Sequence, residues 1–381
     1  MRVKPFFCTR SLAAIAFAFA INPVHAADAL VGTNMINPYQ LSPSEQDEML
    51  SNIKAAGVSV IRASITPDEA GLDFAQRAEK HGIQIEWMIF RVGGYLPDAP
   101  TRPAWPPGPG RPRFFEGHPL SSADPEQFRS FFSSLLGKLE ASGITLAGFE
   151  LGNEINLSSN PDFPLPGKGG VQLGLNDLNN DPEGQQIARG YLQYLKLLAV
   201  LKDIRDHSKL NQQTPIMTAG LGSYQQDDGP LPKGNRFDVV SVNATLQYMR
   251  SHGLDNLVDG YAIHVYPHAG ETPAERKEKL AKYDFTLCRA AGSRDGKPCW
   301  LTEWGFKNKD MNCPINDSDR AGLVREMMGD FRPYVKQARL VGLLWFSWNG
   351  TAGSDNMMGA VWRCGSLTPS GKLSVDSSLL K

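Results

Sequence analysis

Apolar residues along the chain follow two alternating rhythms. Short, nearly continuous apolar runs lie at 29–32, 58–61, 83–90, 144–151, 216–220, 260–266, 298–302 and 340–346. Runs of that length, closed by Gly, Asn or a charged residue, predict buried strands. Between them the apolar residues recur at helical spacing. Ser42-Pro43 opens the first helix as N-cap and N1, its stripe is Met49, Leu50 and Ile53, and Gly57 stops it. A second helix spans 73–80, and a third starts at Asp124-Pro125 with Phe128, Phe131, Phe132, Leu135 and Leu139 on one face. Further helices are expected at 182–207, 244–251, 273–290 and 319–336, with a weak last candidate at 375–380. Two segments break the rhythm. One, 92–123, is dense in Pro and Gly and carries Tyr95, Trp105, Phe114, Phe115 and His118; the other runs from 156 to 180.

Eight strands with a helix in nearly every interval predict an α/β chain with a parallel sheet, closed as a (β/α)8 TIM barrel. Its long loops follow strands three and four, and the aromatics of 92–123 favour a loop folded over the mouth. Residues 1–26 have the build of a secretory leader: Arg2, Lys4 and Arg10, an apolar core over 12–21, then Val24-His25-Ala26. That core is too short to span a bilayer. Residues 27–381 then read as one catalytic-size domain, secreted or periplasmic, with no membrane span in the mature form and expected to act as a monomer. Losing three basic and no acidic residues shifts the formal net charge from −1 to −4, so there is no basic footprint for nucleic acid.

The chemistry gathers where the strands end. In a parallel barrel those C-terminal tips converge on one mouth. Asn34, Arg62, Arg91, Glu154, His264, Glu303 and Trp348 all sit at or just past such tips. Strand four ends in Gly152-Asn153-Glu154, and strand seven in Glu303-Trp304-Gly305. Two carboxylates facing each other across a mouth, among aromatics and amides, point to glycosidic bond cleavage. Glu150 shares strand-face parity with Glu154 and is expected to pair with a basic group such as Arg62. Trp345 and Trp348 have opposite parity, so without a bulge only one faces the site.

Gly152-Asn153-Glu154, Ile263-His264-Val265-Tyr266-Pro267, Leu301-Thr302-Glu303-Trp304-Gly305 and Trp345-Phe346-Ser347-Trp348-Asn349 together resemble the retaining glycoside hydrolases of clan A, such as families 5 and 39. The resemblance implies a double displacement with Glu154 as acid/base and Glu303 as nucleophile. It also implies that Asn153 binds the sugar 2-hydroxyl, that Tyr266 hydrogen-bonds the nucleophile, and that His264 and Arg62 line the subsite at the cleaved bond. Trp304 and Trp348 suit stacking on sugar faces. The expected substrate is a polysaccharide or oligosaccharide, and the reaction needs no cofactor and no metal. Two rival readings remain: a catalytically inactive carbohydrate-binding barrel, and a metal-dependent hydrolase with His264 and His268 holding zinc near Glu303.

Four cysteines follow the leader. Cys288 and Cys299 flank the start of strand seven, on the face opposite the mouth, while Cys313 and Cys364 lie in the loops after strands seven and eight. Opposite faces of a barrel are too far apart for a disulfide. The expected pairs are therefore Cys288–Cys299 and Cys313–Cys364.

Overall fold

The computed structural model describes residues 29–105, 114, 116–165, 171–223, 238–268, 270–289, 293, 295–308, 312–349 and 360–381; the leader expected at 1–26 lies outside them. Eight parallel strands form the centre: β1 (Leu30–Asn34), β2 (Val60–Ala63), β3 (Gln84–Ile89), β4 (Gly148–Leu151), β5 (Ile216–Met217 and Leu221–Ser223), β6 (Tyr261–Val265), β7 (Cys299–Trp304) and β8 (Leu340–Trp345). Each strand pairs with its neighbours in sequence, and β8 pairs with β1. The two halves of β5 occupy the two ends of the sheet order, the first on β4 and the second on β6, so the sheet closes on itself. The chain is a (β/α)8 barrel.

Around it lie α1 (Pro43–Ala55), α2 (Glu69–Lys80), α3 (Pro125–Ala141), α4 (Leu175–Asn180), α5 (Pro182–Asp206), α6 (Val242–Ser251), α7 (Pro273–Lys279), α8 (Ser318–Lys336) and α9 (Pro369–Ser374). Local chemistry starts them where the sequence places the signals. Ser42 caps α1 in a reciprocal capping box with Glu45, and Asp124 caps α3 ahead of Pro125. Met49, Leu50 and Ile53 are buried, as are Phe128, Phe132, Leu135 and Leu139, while Phe131 is half-buried. Phe132 stacks on Trp87 of β3 at 5.2 Å and meets Phe149 of β4 edge-on. Each such ring contributes roughly 1.5–3 kcal/mol by leaving water, so this seam holds α3 against the strands that carry the site.

Four elements differ from expectation. The helix expected over 273–290 stops at Lys279 and gives way to one π turn, Leu280–Asp284. Cys288 is bonded to Cys299 and bridges to Lys297, so the chain must leave the helix to reach β7. The fifth strand is interrupted because side chains take over its ladder. Tyr194 Oη accepts from Ala219 N, Glu150 Oε1 accepts from Gly220 N, and Thr218 Oγ1 accepts from Ala262 N. The last helix lies at Pro369–Ser374, capped by Thr368 and packed on α8, with only a 3-10 turn at Ser377–Leu380 where 375–380 was expected to be helical. The segment 156–180 is not all loop. It contains α4 and a two-residue strand, Gln172–Leu173, paired with Val239–Val240.

The loop after β3 is tied to the loop after β4. Arg102 donates to the carbonyls of Ser158, Ser159, Asn160 and Phe163, and its guanidinium lies over Phe114. Asp162 accepts from the backbone N–H groups of Leu120 and Ser121 in return. Both disulfides join the expected partners, with Cα–Cα separations of 5.4 Å (Cys288–Cys299) and 5.7 Å (Cys313–Cys364).

Candidate active site

Inward-facing residues of the strand tips meet around one guanidinium. Arg62 points into the barrel and is 3 % exposed. An arginine carries five N–H groups, and Arg62 makes five hydrogen bonds. Nε and Nη2 reach the two oxygens of Glu150 at 2.9 and 2.7 Å, Nη2 also reaches Asn153 Oδ1 at 2.7 Å, and Nη1 reaches Asn34 Oδ1 at 2.8 Å and Glu303 Oε1 at 2.7 Å. Asn34 is itself held, its amide donating to the carbonyls of Thr302, Leu344 and Trp345. Glu150 is thus the partner of Arg62, as the strand parity required.

Glu303 reaches the mouth through a β-bulge. Leu301 is in register with Ile263 and Glu303 with His264, so β7 holds one residue more than β6 across this step. A one-residue insertion reverses which face the following side chains occupy. Without it Glu303 would share the outward face of Leu301, in the main core. With it Glu303 faces the site and Trp304 faces away. Trp304 is fully buried, edge-on to Phe331 of α8 at 5.1 Å and to Trp345 at 4.8 Å. The stacking role expected for Trp304 is therefore corrected: it packs behind the sheet. Trp345 is buried beside it, and Trp348 is buried with its ring parallel to Trp362 at 5.9 Å. Neither Trp345 nor Trp348 offers a free face. Phe346, given no role in the sequence, is the half-buried aromatic of this run and lies edge-on to Tyr266.

Glu154 stands at the tip of β4 in a left-handed conformation, φ 46°, just after Gly152 at φ 86°. Its backbone N–H is held by the carbonyl of Gly220, which fixes this strained corner to β5. His264 Nδ1 lies 3.0 Å from Glu154 Oε1 and 3.6 Å from Glu303 Oε2. Tyr266 donates its hydroxyl proton to Glu303 Oε2 at 2.5 Å. One oxygen of each glutamate and the imidazole nitrogen lie within 4.8 Å of one another.

Charge sets the protonation of this group. Burial works to lower the His264 pKa, but Glu303 and Glu154 beside it outweigh burial and raise it. Burial works to raise the Glu303 carboxyl, but His264, Arg62 and the Tyr266 hydroxyl hold it below its ordinary range. Glu303 is thereby held as a carboxylate.

No protein-family model matches the chain, and no curated protein matches it. Solved structures do. A catalytic mutant of a GH42 β-galactosidase from G. stearothermophilus superposes with a TM-score of 0.55 at 14% identity, over 93% of this chain and 57% of that one. The endo-1,4-β-mannanase of Rhizomucor miehei gives 0.54 at 13%, over 92% and 93%. The catalytic domain of the major endoglucanase of Xanthomonas campestris pv. campestris gives 0.51 at 12%, over 92% and 94%. At these identities the likeness shows the (β/α)8 fold.

The donors of Glu154, His264 and Glu303 also have the spacing of a cation site. Their surroundings suit one poorly. The Arg62 guanidinium already occupies Glu303 Oε1, and Tyr266 occupies Oε2. His268, the other histidine of the metal reading, is exposed and stands outside the trio. Arg91 and Lys307 are exposed. Sequence reasoning missed one buried group altogether, Glu86 on β3, although a lone acid between Ile85 and Trp87 in an apolar strand was there to be read.

Proposed function

We propose that the protein is a retaining glycoside hydrolase acting on a polysaccharide or oligosaccharide, with Glu303 as nucleophile and Glu154 as acid/base. The observation that carries this reading is the approach of one oxygen of each carboxyl group to within 4.8 Å of the other at the tips of β4 and β7. Retaining enzymes hold their carboxyl groups roughly 5 to 5.5 Å apart, whereas inverting enzymes leave roughly 6.5 to 9.5 Å for a water. Proteins named endoglucanase, endo-1,4-β-mannanase and β-galactosidase share the fold, which agrees with the reading.

In the first step a Glu303 oxygen attacks the anomeric carbon while Glu154 gives its proton to the leaving oxygen. The glycosidic bond breaks and an ester to Glu303 forms. In the second, Glu154 takes a proton from water, whose oxygen displaces the ester and returns Glu303 as a carboxylate. Arg62 and Tyr266 hold the Glu303 oxygens in line, and His264 steadies the Glu154 carboxyl group. Arg62 takes the Asn153 carbonyl oxygen, and Asn153 Nδ2 has no protein partner among the described residues, so the amide N–H groups are left for a sugar hydroxyl.

A cleft of about 850 Å³ supports a substrate of several sugar units. It is lined by Asn37 and Tyr39 after β1, Ser64 after β2, and Phe90, Arg91 and Tyr95 after β3. Phe90 is 69% exposed and offers an open ring face in this cleft, whose lining does not include Arg62, Asn153, Glu154, His264, Tyr266 or Glu303. Two disulfides agree with an oxidising compartment outside the cytoplasm. Among the described residues no helix is long and apolar enough to cross a membrane.

The test is a polysaccharide panel followed by Glu303→Gln and Glu154→Gln. Each variant is expected to lose hydrolysis of the active glycan while remaining folded, and early product from the native protein is expected to keep the substrate's anomeric configuration by NMR. Near-normal activity in both variants, or inverted product, would overturn the reading.

A further inference from the structure

Among the described residues, Glu86 is the acidic side chain of the barrel interior that neither this chemistry nor the Arg62 network uses. It projects inward from β3, has no exposed surface, and stands in register with Arg62 on β2 and Gly148 on β4. Neither of its carboxyl oxygens meets an N–H or O–H donor. Arg62 Nε is 3.5 Å away, but that N–H is already given to Glu150 Oε2, and the other four N–H groups of Arg62 are also taken. Beneath it the barrel is filled by Met217, Ala262 and Trp300. Gly148 leaves the space: a Cβ there would fall 2.7 Å from Met217 Cε and 3.2 Å from Glu86 Cγ.

An ionised carboxylate in that position would be buried with no donor at all, which proteins avoid. A protonated carboxyl group escapes the problem because it carries a donor of its own. The groups facing it are Arg62 from β2, Glu150 from β4 and, across the barrel, Glu303 from β7; β5 and β6 contribute the uncharged Met217 and Ala262. Glu150, on the adjacent strand, is the acceptor such a proton would meet.

We propose that Glu86 is a carboxylic acid at neutral pH, that it donates its proton to Glu150, and that it thereby serves as a positioning residue for Arg62 and the nucleophile. The role rests on the reading of Glu303 as nucleophile; the protonation does not. Burial first and the neighbouring Glu150 second push the Glu86 carboxyl well above its ordinary range, against the pull of Arg62. With Glu86 neutral, the single charge of Arg62 is shared by two carboxylates, Glu150 and Glu303. A third carboxylate would draw the guanidinium toward β3 and away from Glu303.

The test uses the full mature chain with Glu86→Gln and Glu86→Ala. Glutamine keeps a neutral donor of the same shape; alanine removes it. Infrared spectra at pH 7, taken without substrate, are expected to show a protonated carboxylic-acid carbonyl band in the native protein that Glu86→Gln lacks. Denaturation across pH gives a second arm. A carboxyl group with a raised folded pKa contributes stability that is fully present below its unfolded value and is lost as pH rises through the folded one. The native protein is therefore expected to lose stability relative to Glu86→Gln on going from acid to neutral pH. On a glycan substrate, Glu86→Ala is expected to lose about 10-fold in kcat and to move the acid limb of kcat/KM upward, with Glu86→Gln recovering most of both. If no band disappears and the two stability profiles run parallel, Glu86 is ionised and the proposal fails. If the band disappears but glutamine is as impaired as alanine, the positioning role fails. Full activity in Glu303→Gln would sink the catalytic reading while leaving the infrared result standing.

Discussion

Replacing Arg62 by alanine tests the centre of the site most directly. In the folded protein its five N–H groups serve Asn34, Glu150, Asn153 and Glu303, at 3 % exposure. The substitution leaves Glu150 and Glu303 buried without their cation. Removing one partner of a buried ion pair costs about 3–5 kcal/mol, a large part of a typical domain stability of about 5–15 kcal/mol. Arg62→Lys restores the charge, but an ammonium with three donors and no fork cannot reach four side chains, so an intermediate loss is expected. Urea denaturation at pH 7 measures the first effect, and kcat/KM against pH measures a second. Arg62 is one of the groups that hold Glu303 below its ordinary range. Without it the Glu303 pKa rises, so the acid limb of the profile moves to higher pH. Stability must follow the same sign. A depressed carboxyl pKa contributes stability above its unfolded value that is lost as pH falls through the folded one. The native protein should therefore lose more stability on acidification than Arg62→Ala does. An alanine variant within about 1 kcal/mol of native, with its acid limb unmoved, would show that the guanidinium neither supports the strand tips nor ionises Glu303.

The other expectations concern the rim. Cys313 and Cys364 are both exposed, whereas Cys288 and Cys299 are buried, so mild reductant should open the first pair first, as mass mapping of alkylated cysteines would show. That bond closes a 51-residue separation and is worth roughly 4 kcal/mol by chain entropy; opening it should lower activity before the barrel unfolds, and a barrel that melts at the same reductant concentration would argue otherwise. Phe90→Ala should lower kcat/KM about 10-fold on long oligosaccharides, the equivalent of about 1.4 kcal/mol, and leave a short aryl glycoside unchanged. Equal loss on both would place Phe90 outside the cleft's function.

Much of this architecture was legible along the chain because it is set by local chemistry. Period-two and period-3.6 burial, Pro at N1 behind a Ser or Asp cap, and Gly past a helix end each act over a few residues. They located α1, α3, α5 and α8 and the order of eight strands. The convergence of strand tips then brought Arg62, Asn153, Glu154, His264, Tyr266 and Glu303 together, because a closed parallel barrel leaves those tips nowhere else to go. The cysteine pairing followed from the same geometry, since it needed only the face on which each loop lies.

What the chain could not reveal was anything decided by register between strands. Strand parity counts residues along one chain, and it fails wherever a bulge inserts one against a neighbour. The bulge before Glu303 turned that carboxylate into the mouth and sent Trp304 behind the sheet, although the two are adjacent in sequence. Trp348 was placed by its ring contact with Trp362 and its backbone bond to Asn34, partners 14 and 314 positions away. Glu86 was invisible as a member of the site for a related reason. Its protonation depends on five hydrogen bonds that Arg62 makes elsewhere, to four residues on three other strands and their tips. A sequence can specify such a network, but only the closed barrel, by bringing those donors and acceptors within 3 Å, decides which group is left to keep a proton.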